Sequence, residues 1–478
     1  MLASVGTAVA LLALTGYAAA DVLDVAPGIL TLDRPVARPT STVSGTVAPV
    51  LLPQPAATLS PLLSDTGTEA PVPTAAGLAR AVATASADPA LAGGIGISLR
   101  DGITGTELWA LDADTPRVPA STQKLLAALA VADGLDLDAR MTTSVVAPSG
   151  SSDLVLVVGG DTLLAPGRGD ADAVAGRAGL SDLAAQVADS LAASGRTSVR
   201  LRLDLSHAPG PRYPSTWNPH DVRDGFTQAV VMTGLATQLP RARHPSPLRP
   251  EGEVAAALVK RLAARGVTAT LRPERTWTAP APVGAQVLGS VESATYGEVL
   301  DFALDHSENA LTENLTRQAA AAAGASTAEQ GDNARFIRQR LAADGVPTEG
   351  LAITDACGLS PGQKASAATL SGVLRVAATG ALDELRGVVA GLPVAGLSGT
   401  LTGRFRAPAT DDVAGVPRAK TGTLRAGSSL AGTTVTADGR PLTFVLLVDR
   451  FPHTYGGTLR ARAALDRIVA TLTRCGCR

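Results

Sequence analysis

Lysine is nearly absent from this 478-residue chain, standing at positions 124, 260, 364 and 420 while arginine supplies the rest of the positive charge. Where arginine is the default cation, a retained lysine suggests a site that needs an amine able to lose its proton, which a guanidinium with a pKa above about 12 does not. Cysteine is limited to Cys357, Cys475 and Cys477, too few and too scattered for a disulfide framework or a four-ligand zinc site. The last two sit in a terminal tail that reads as a frayed end. Aromatic residues make up 3%, and Trp109, Trp217 and Trp277 stand alone, as packing residues rather than carbohydrate platforms. The net charge of −2 gives no basic surface for phosphates, so nucleic acid is excluded as a partner. No histidine or cysteine spacing supports a metal, and no cofactor is expected. With 45% apolar and 18% charged residues, the chain has a soluble composition unlike collagen, coiled coil, disordered or polytopic membrane proteins.

The one long apolar run, Leu2 to Ala20, reads as an export segment within residues 1–30, although a basic stretch before it is missing. Cleavage after Ala18-Ala19-Ala20 and retention as a membrane anchor both remain open. Residues 31–75 are dense in Pro, Thr, Ser and Ala without a period and read as a linker. Thr74 is placed to cap a helix over 75–86, and the alternation of Ile95, Ile97 and Leu99 predicts a strand turning at Asp101-Gly102 into a second at 107–111. A helix is expected to open at Ser121. Strands near 154–158 and 199–205 alternate with helices near 181–193 and 254–264, followed by a helical stretch from 298 to 378. The chain closes with a hairpin around Asp438-Gly439 and an amphipathic helix over 459–472. A sheet shared by both ends of the chain would explain this layout, giving an α/β (α+β) fold. The main domain is expected from 76–145 and 290–478, with inserted subdomains over 146–289.

Three short motifs carry chemistry. In Ser121-Thr122-Gln123-Lys124 the i, i+3 spacing places a hydroxyl and an amine on one helical face. A serine hydroxyl is too weakly acidic to attack unaided, and a neutral amine beside it accepts its proton. Ser307-Glu308-Asn309 lies between two predicted helices, where Ser307 can relay protons between lysine amines and Asn309 offers a donor and an acceptor to a substrate amide. Lys420-Thr421-Gly422-Thr423 begins an extended segment. There Lys420 would fix positive potential, Gly422 would let the strand approach a substrate backbone, and Thr421 and Thr423 would hold a terminal carboxylate. The backbone N–H groups of Ser121 and Thr423 are candidates for an oxyanion hole.

This Ser-x-x-Lys, Ser-x-Asn, Lys-Thr-Gly series resembles that of the penicillin-binding protein and serine β-lactamase superfamily. The long separation of Ser121 from Ser307, together with VVGGDTLL at 157–164, DACGLS at 355–360 and LSGTLTGRF at 397–405, is similar to the D-alanyl-D-alanine carboxypeptidases of the low-molecular-mass class C type. The resemblance implies a β-lactamase/transpeptidase-like domain and an exported serine DD-carboxypeptidase, with DD-endopeptidase activity left open. Its substrates would be peptidoglycan stem peptides ending in D-Ala-D-Ala, and β-lactams would acylate the same serine. Ser121 would be the nucleophile and Lys124 the base. Ser307, Asn309 and Lys420 would complete the catalytic group, and Thr421, Gly422 and Thr423 would bind substrate.

The family's Asp-Gly-Ser-Gly-Leu-Ser stretch carries Ala356 and Cys357 here, and its Asp-Gly-Thr-Leu carries Ser398. These departures bear on loop packing and substrate preference; Cys357 reads as a small buried residue. A β-lactamase or esterase of the same superfamily and a catalytically silent wall scaffold remain as alternatives. A rival G-x-S-x-G motif at 358–362, with Asp449 and His453 following, fails because Pro361 lacks the N–H that motif needs after its serine. His306 reads as a polar surface residue, and Asp161 as a turn acid.

Overall fold

The computed structural model describes residues 69–91 and 94–478. The chain divides into two units, 1–66 and 67–478, and all described residues lie in the second. The expected export segment and most of the expected linker fall outside them. Among the described residues no helix is long and apolar enough to cross a membrane.

Helix α1 (Ala75–Ser86) starts where Thr74 accepts a hydrogen bond from the Gly77 N–H. Strands β1 (Ile95–Asp101) and β2 (Glu107–Leu111) follow as the expected hairpin. A single 3₁₀ turn, Ala120–Gln123, then leads into α2 (Lys124–Gly134). The helix expected at Ser121 thus begins with a tighter turn, and Ser121 sits on that turn rather than on α2.

Strands β3 (Arg140–Ala147) to β7 (Gln286–Thr295) form a separate sheet in the order β6-β5-β4-β3-β7, where β4 is Asp153–Val157, β5 Ser198–Asp204 and β6 Thr268–Leu271. β4, β5 and β6 run parallel, and α3 (Leu180–Ala192) and α4 (Pro250–Ala263) provide the crossovers that parallel strands require. Leu154, Leu156, Leu201 and Leu203 meet Leu183, Val187 and Leu258 in its core. The expected limits of the insert, 146 and 289, fall within β3 and β7.

Helices α5 (Tyr296–Asp305), α6 (Asn309–Ala322), α7 (Asp332–Ala343), α8 (Ala367–Thr379) and α9 (Asp383–Ala390) follow. The chain ends with β8 (Arg418–Leu424), β9 (Gly427–Val435), β10 (Pro441–Val448) and α10 (Tyr455–Arg474). These last strands join β1 and β2 in one antiparallel sheet, β2-β1-β10-β9-β8, shared by both ends of the chain. β10 shows why its sequence is an almost unbroken apolar run. Leu442, Phe444, Leu446 and Val448 pack with α1 and α10, while Val445 and Leu447 point into the largely helical core around α2. α2 is buried from Lys124 to Ala132 on every side, as expected of a helix at the centre of a core.

The tail is not frayed. Cys475 and Cys477 are disulfide-bonded, the Cys477 carbonyl accepts from the Thr74 N–H at 2.8 Å, and the Cys475 carbonyl accepts from Ala437. The two ends of the described chain are thereby tied together.

Candidate active site

The turn bearing Ser121 is held from both sides. Ser429 Oγ on β9 donates to the Pro119 carbonyl at 2.6 Å, and Gln123 Nε2 donates to the Asp355 carbonyl at 2.6 Å and to Gln363 Oε1 at 2.8 Å. Ala120, just before the nucleophile, has φ +46°, a conformation that costs a non-glycine residue about 1–3 kcal/mol and persists only where the surroundings impose it. Ser307 (φ +55°) and Phe405 (φ +56°) share this feature. Ser307 lies between α5 and α6, and the cap of α6 is Glu308, whose carboxylate accepts from the Leu311 N–H. The Ser307 hydroxyl is therefore left to face Lys420.

Lys124 Nζ is fully buried, 3.0 Å from Ser121 Oγ. It also lies 2.6 Å from Asn309 Oδ1 and 2.9 Å from the Cys357 carbonyl. The orientation of the Asn309 amide is fixed because its Nδ2 donates to the Phe226 carbonyl at 2.7 Å. Both other neighbours of Nζ can then only accept, so a neutral amine gives its two N–H bonds to them and turns its lone pair to the Ser121 hydroxyl. Burial pushes the Lys124 pKa below its ordinary value, favouring this form, and the nearby Cys357, Asp355, Glu308 and Glu313 oppose the shift. Asn309, expected to meet substrate, has its oxygen committed to the base and one N–H to Phe226.

Lys420 Nζ donates to Ser307 Oγ at 2.9 Å and to the Thr421 carbonyl at 3.0 Å. Burial pushes its pKa well below the lysine range; Lys124 and Arg404 add to the shift and Asp305 opposes it. The sequence reading gave Lys420 a fixed positive potential, which this environment disfavours. Ser307 hydrogen-bonds to Lys420, and no hydrogen bond joins it to Lys124 among the described residues.

Ser121, Ser307, Thr421 and Thr423 line one cavity of about 320 Å³, with Thr400, Arg404 and Arg462 completing its wall. A larger cavity, about 630 Å³, lies between α8, α9 and β8–β10 and holds none of the motif residues. Thr421 Oγ1 bonds Thr400 Oγ1 at 2.9 Å. Gly422 is also required inside the protein. A Cβ on it would stand 2.0 Å from Ser429 Oγ, 2.7 Å from the Pro119 carbonyl oxygen and 3.1 Å from Ala120 Cβ. Its bareness seats the nucleophile's turn against β8. Gly422→Ala is therefore expected to displace that turn, lowering stability by about 1–3 kcal/mol and turnover by more than the lost stability explains. Thermal unfolding measured beside steady-state kinetics checks this.

Sequence reasoning missed the support beneath the base. Glu313, one turn along α6 from Asn309, accepts from the N–H groups of Ala356 (2.7 Å) and Cys357 (3.0 Å), fixing the carbonyl that Lys124 meets. Burial, and then Asp355, raise its pKa to about 7. Glu313, Asp355 and Cys357 cluster closely enough to be compared with a metal site. However, Glu313 Oε2 accepts from Asn333, Asp355 accepts from Gln123, Gly358, Ser360 and Trp217, and burial holds the Cys357 thiol well above its usual pKa. These donors serve the loop, and a protonated thiol is a poor ligand.

The rival motif is dispersed: Ser360 Oγ bonds Thr216, Asp449 pairs with Arg117 and Lys364, and His453 is exposed. His306 is on the surface, stacked on Phe302. Asp161 is buried in a turn and accepts from the Leu163 N–H, with burial raising its pKa to about 7. Cys357 is fully buried.

Comparison with known proteins agrees with this architecture. The profile of the D-Ala-D-Ala carboxypeptidase 3 (S13) family matches residues 78–238 and 231–472. Carboxypeptidase DacB of Mycolicibacterium smegmatis is 35% identical over 433 residues, 88% of this chain and 89% of that protein. A D-alanyl-D-alanine carboxypeptidase of Actinomadura is 28% identical over 430 residues, 72% of this chain and 76% of that protein. The crystal structure of penicillin binding protein 4 from Haemophilus influenzae shares the fold, with a TM-score of 0.65 at 17% identity over 81% of this chain and 98% of that one. The chain belongs to the D-Ala-D-Ala carboxypeptidase 3 (S13) family and is a hydrolase of the D-Ala-D-Ala carboxypeptidase kind.

Proposed function

We propose that this protein is a serine DD-carboxypeptidase that works through an acyl-enzyme on Ser121 and trims peptidoglycan stem peptides ending in D-Ala-D-Ala, outside the cytoplasm where that polymer lies. The observation that carries this reading is the pairing of Lys124 Nζ with Ser121 Oγ at 3.0 Å, the amine's other neighbours both being acceptors. β8 is an edge strand, so an extended peptide can lie along it with its carbonyl at Ser121. Ser121 attacks the penultimate D-Ala carbonyl as Lys124 takes its proton. Lys124 then hands that proton to the departing D-Ala amine, which the Ser307 hydroxyl, held by Lys420, helps to orient, and the neutral Lys124 amine is free to take a proton from the water that hydrolyses the ester. β-Lactams acylate Ser121 by the same attack, and a related Haemophilus influenzae structure is of a complex with a β-lactam. The catalytic unit in this reading takes the two chain ends, with the insert bounded near 140 and 295 by the outer ends of β3 and β7.

Because the neutral amine is the active form, D-Ala release should rise with pH along a limb below the ordinary lysine value of 10.5, losing rate as pH falls through the depressed pKa of Lys124. A release assay on a short acyl-D-Ala-D-Ala peptide across pH tests both points. Release along such a limb supports the reading, whereas rapid penicillin turnover without D-Ala release would favour a β-lactamase.

A further inference from the structure

The cavity beside Ser121 has an unbalanced charge. Two arginines, Arg404 and Arg462, reach its wall, and no carboxylate lines it. Asp466, one turn along α10 from Arg462, accepts from both Nε and Nη2 of Arg404, so that pair is closed. Arg404 is further spent on the Arg462 backbone carbonyl, at 3.3 Å. Arg462 is half-buried, and its guanidinium makes no ion pair among the described residues. Burial and the adjacent Arg404 both lower its pKa, with Asp466 and Tyr455 opposing, so the site holds this cation at a cost. A partly desolvated cation whose neighbouring carboxylate, Asp466, is already paired with Arg404 is poorly placed unless something negative arrives. Lys420 does not line this cavity and burial disfavours its charged form, while Thr400, Thr421 and Thr423 add hydroxyl donors around the same space.

We propose that Arg462 is the specificity residue for the free carboxylate of the departing D-amino acid, and that this one charge sets the preference for cutting a terminal residue over an internal or capped one. The inference rests on the acyl-transfer reading above. The peptide that fits β8 carries its scissile carbonyl to Ser121, and the group beyond that carbonyl enters the arginine-walled cavity. A planar carboxylate there meets a guanidinium fork, whereas a carboxamide or a continuing peptide leaves Arg462 uncompensated.

The test compares one acyl-D-Ala-D-Ala peptide as free acid and as C-terminal carboxamide, and a penicillin with its methyl ester as acylating agents, on wild type, Arg462→Ala and Arg462→Lys of matched thermal stability. The expected result is a fall of about 10- to 100-fold in kcat/KM for the free acid in Arg462→Ala, with the carboxamide and the ester changed by less than about threefold and partial recovery in Arg462→Lys. An equal fall on acid and capped forms would assign Arg462 a structural role through Arg404 and Asp466 and overturn the proposal, as would an unchanged rate on the acid. A wild type that neither releases D-Ala nor is acylated by penicillin would overturn the acyl-transfer reading itself, a result distinct from either.

Discussion

Replacing Ser121 with alanine is expected to cut D-Ala release by about ten-thousand-fold or more while the fold persists. The change removes one half-buried hydroxyl from a turn whose anchors lie elsewhere, in Ser429 against the Pro119 carbonyl and in Gln123 against Asp355 and Gln363. Lys124 keeps its contacts with Asn309 and Cys357, so the buried amine is not orphaned. Thermal unfolding should therefore move by only a few degrees, and the loss should appear in kcat rather than in KM. Wild-type turnover in this variant would mean that no serine ester forms at this position.

The second large effect belongs to Lys124. Lys124→Met keeps the volume and the packing of α2 but removes the amine, and acylation should fall by about a thousand-fold or more, the upper part of what a general base contributes. Lys124→Arg should fall as far for a different reason, because a guanidinium remains protonated at every working pH and cannot accept the serine proton. Arginine also fits poorly where Nζ is fully enclosed, so methionine is the variant on which the conclusion turns. Stopped-flow acylation by a chromogenic β-lactam reads the step directly. A Lys124→Met protein that acylates at the wild-type rate would remove Lys124 from the chemistry.

Much of this site is legible in the sequence, for physical reasons. The Ser121/Lys124 spacing is local, and the meeting of hydroxyl and amine survives even though a 3₁₀ turn replaces the expected helical one. The shared sheet was legible because hairpin turns stand at both ends of the chain, Asp101-Gly102 at the end of β1 and Asp438-Gly439 before β10. What sequence could not give was the far side of each contact. Asn309 was assigned to substrate because an amide can both donate and accept; which partners it takes depends on Phe226, brought from the insert. Gly422 was assigned to substrate approach, but the Pro119 carbonyl that a Cβ would strike is distant in sequence. Glu313 carried a faint signal, lying four residues after Asn309 on one helical face. Arg462 carried none, being one of many arginines on an amphipathic helix until α10 packs beside Arg404. The tail's cysteines were read by position alone, whereas their carbonyls tie it to Thr74 and Ala437.

The central claim is that Ser121 forms the acyl-enzyme, and peptide mapping by mass spectrometry after exposure to penicillin tests it most directly. The account predicts one adduct of the drug's full mass on the peptide containing Ser121, absent from Ser121→Ala. An adduct on any other residue, or one that persists in Ser121→Ala, would contradict it.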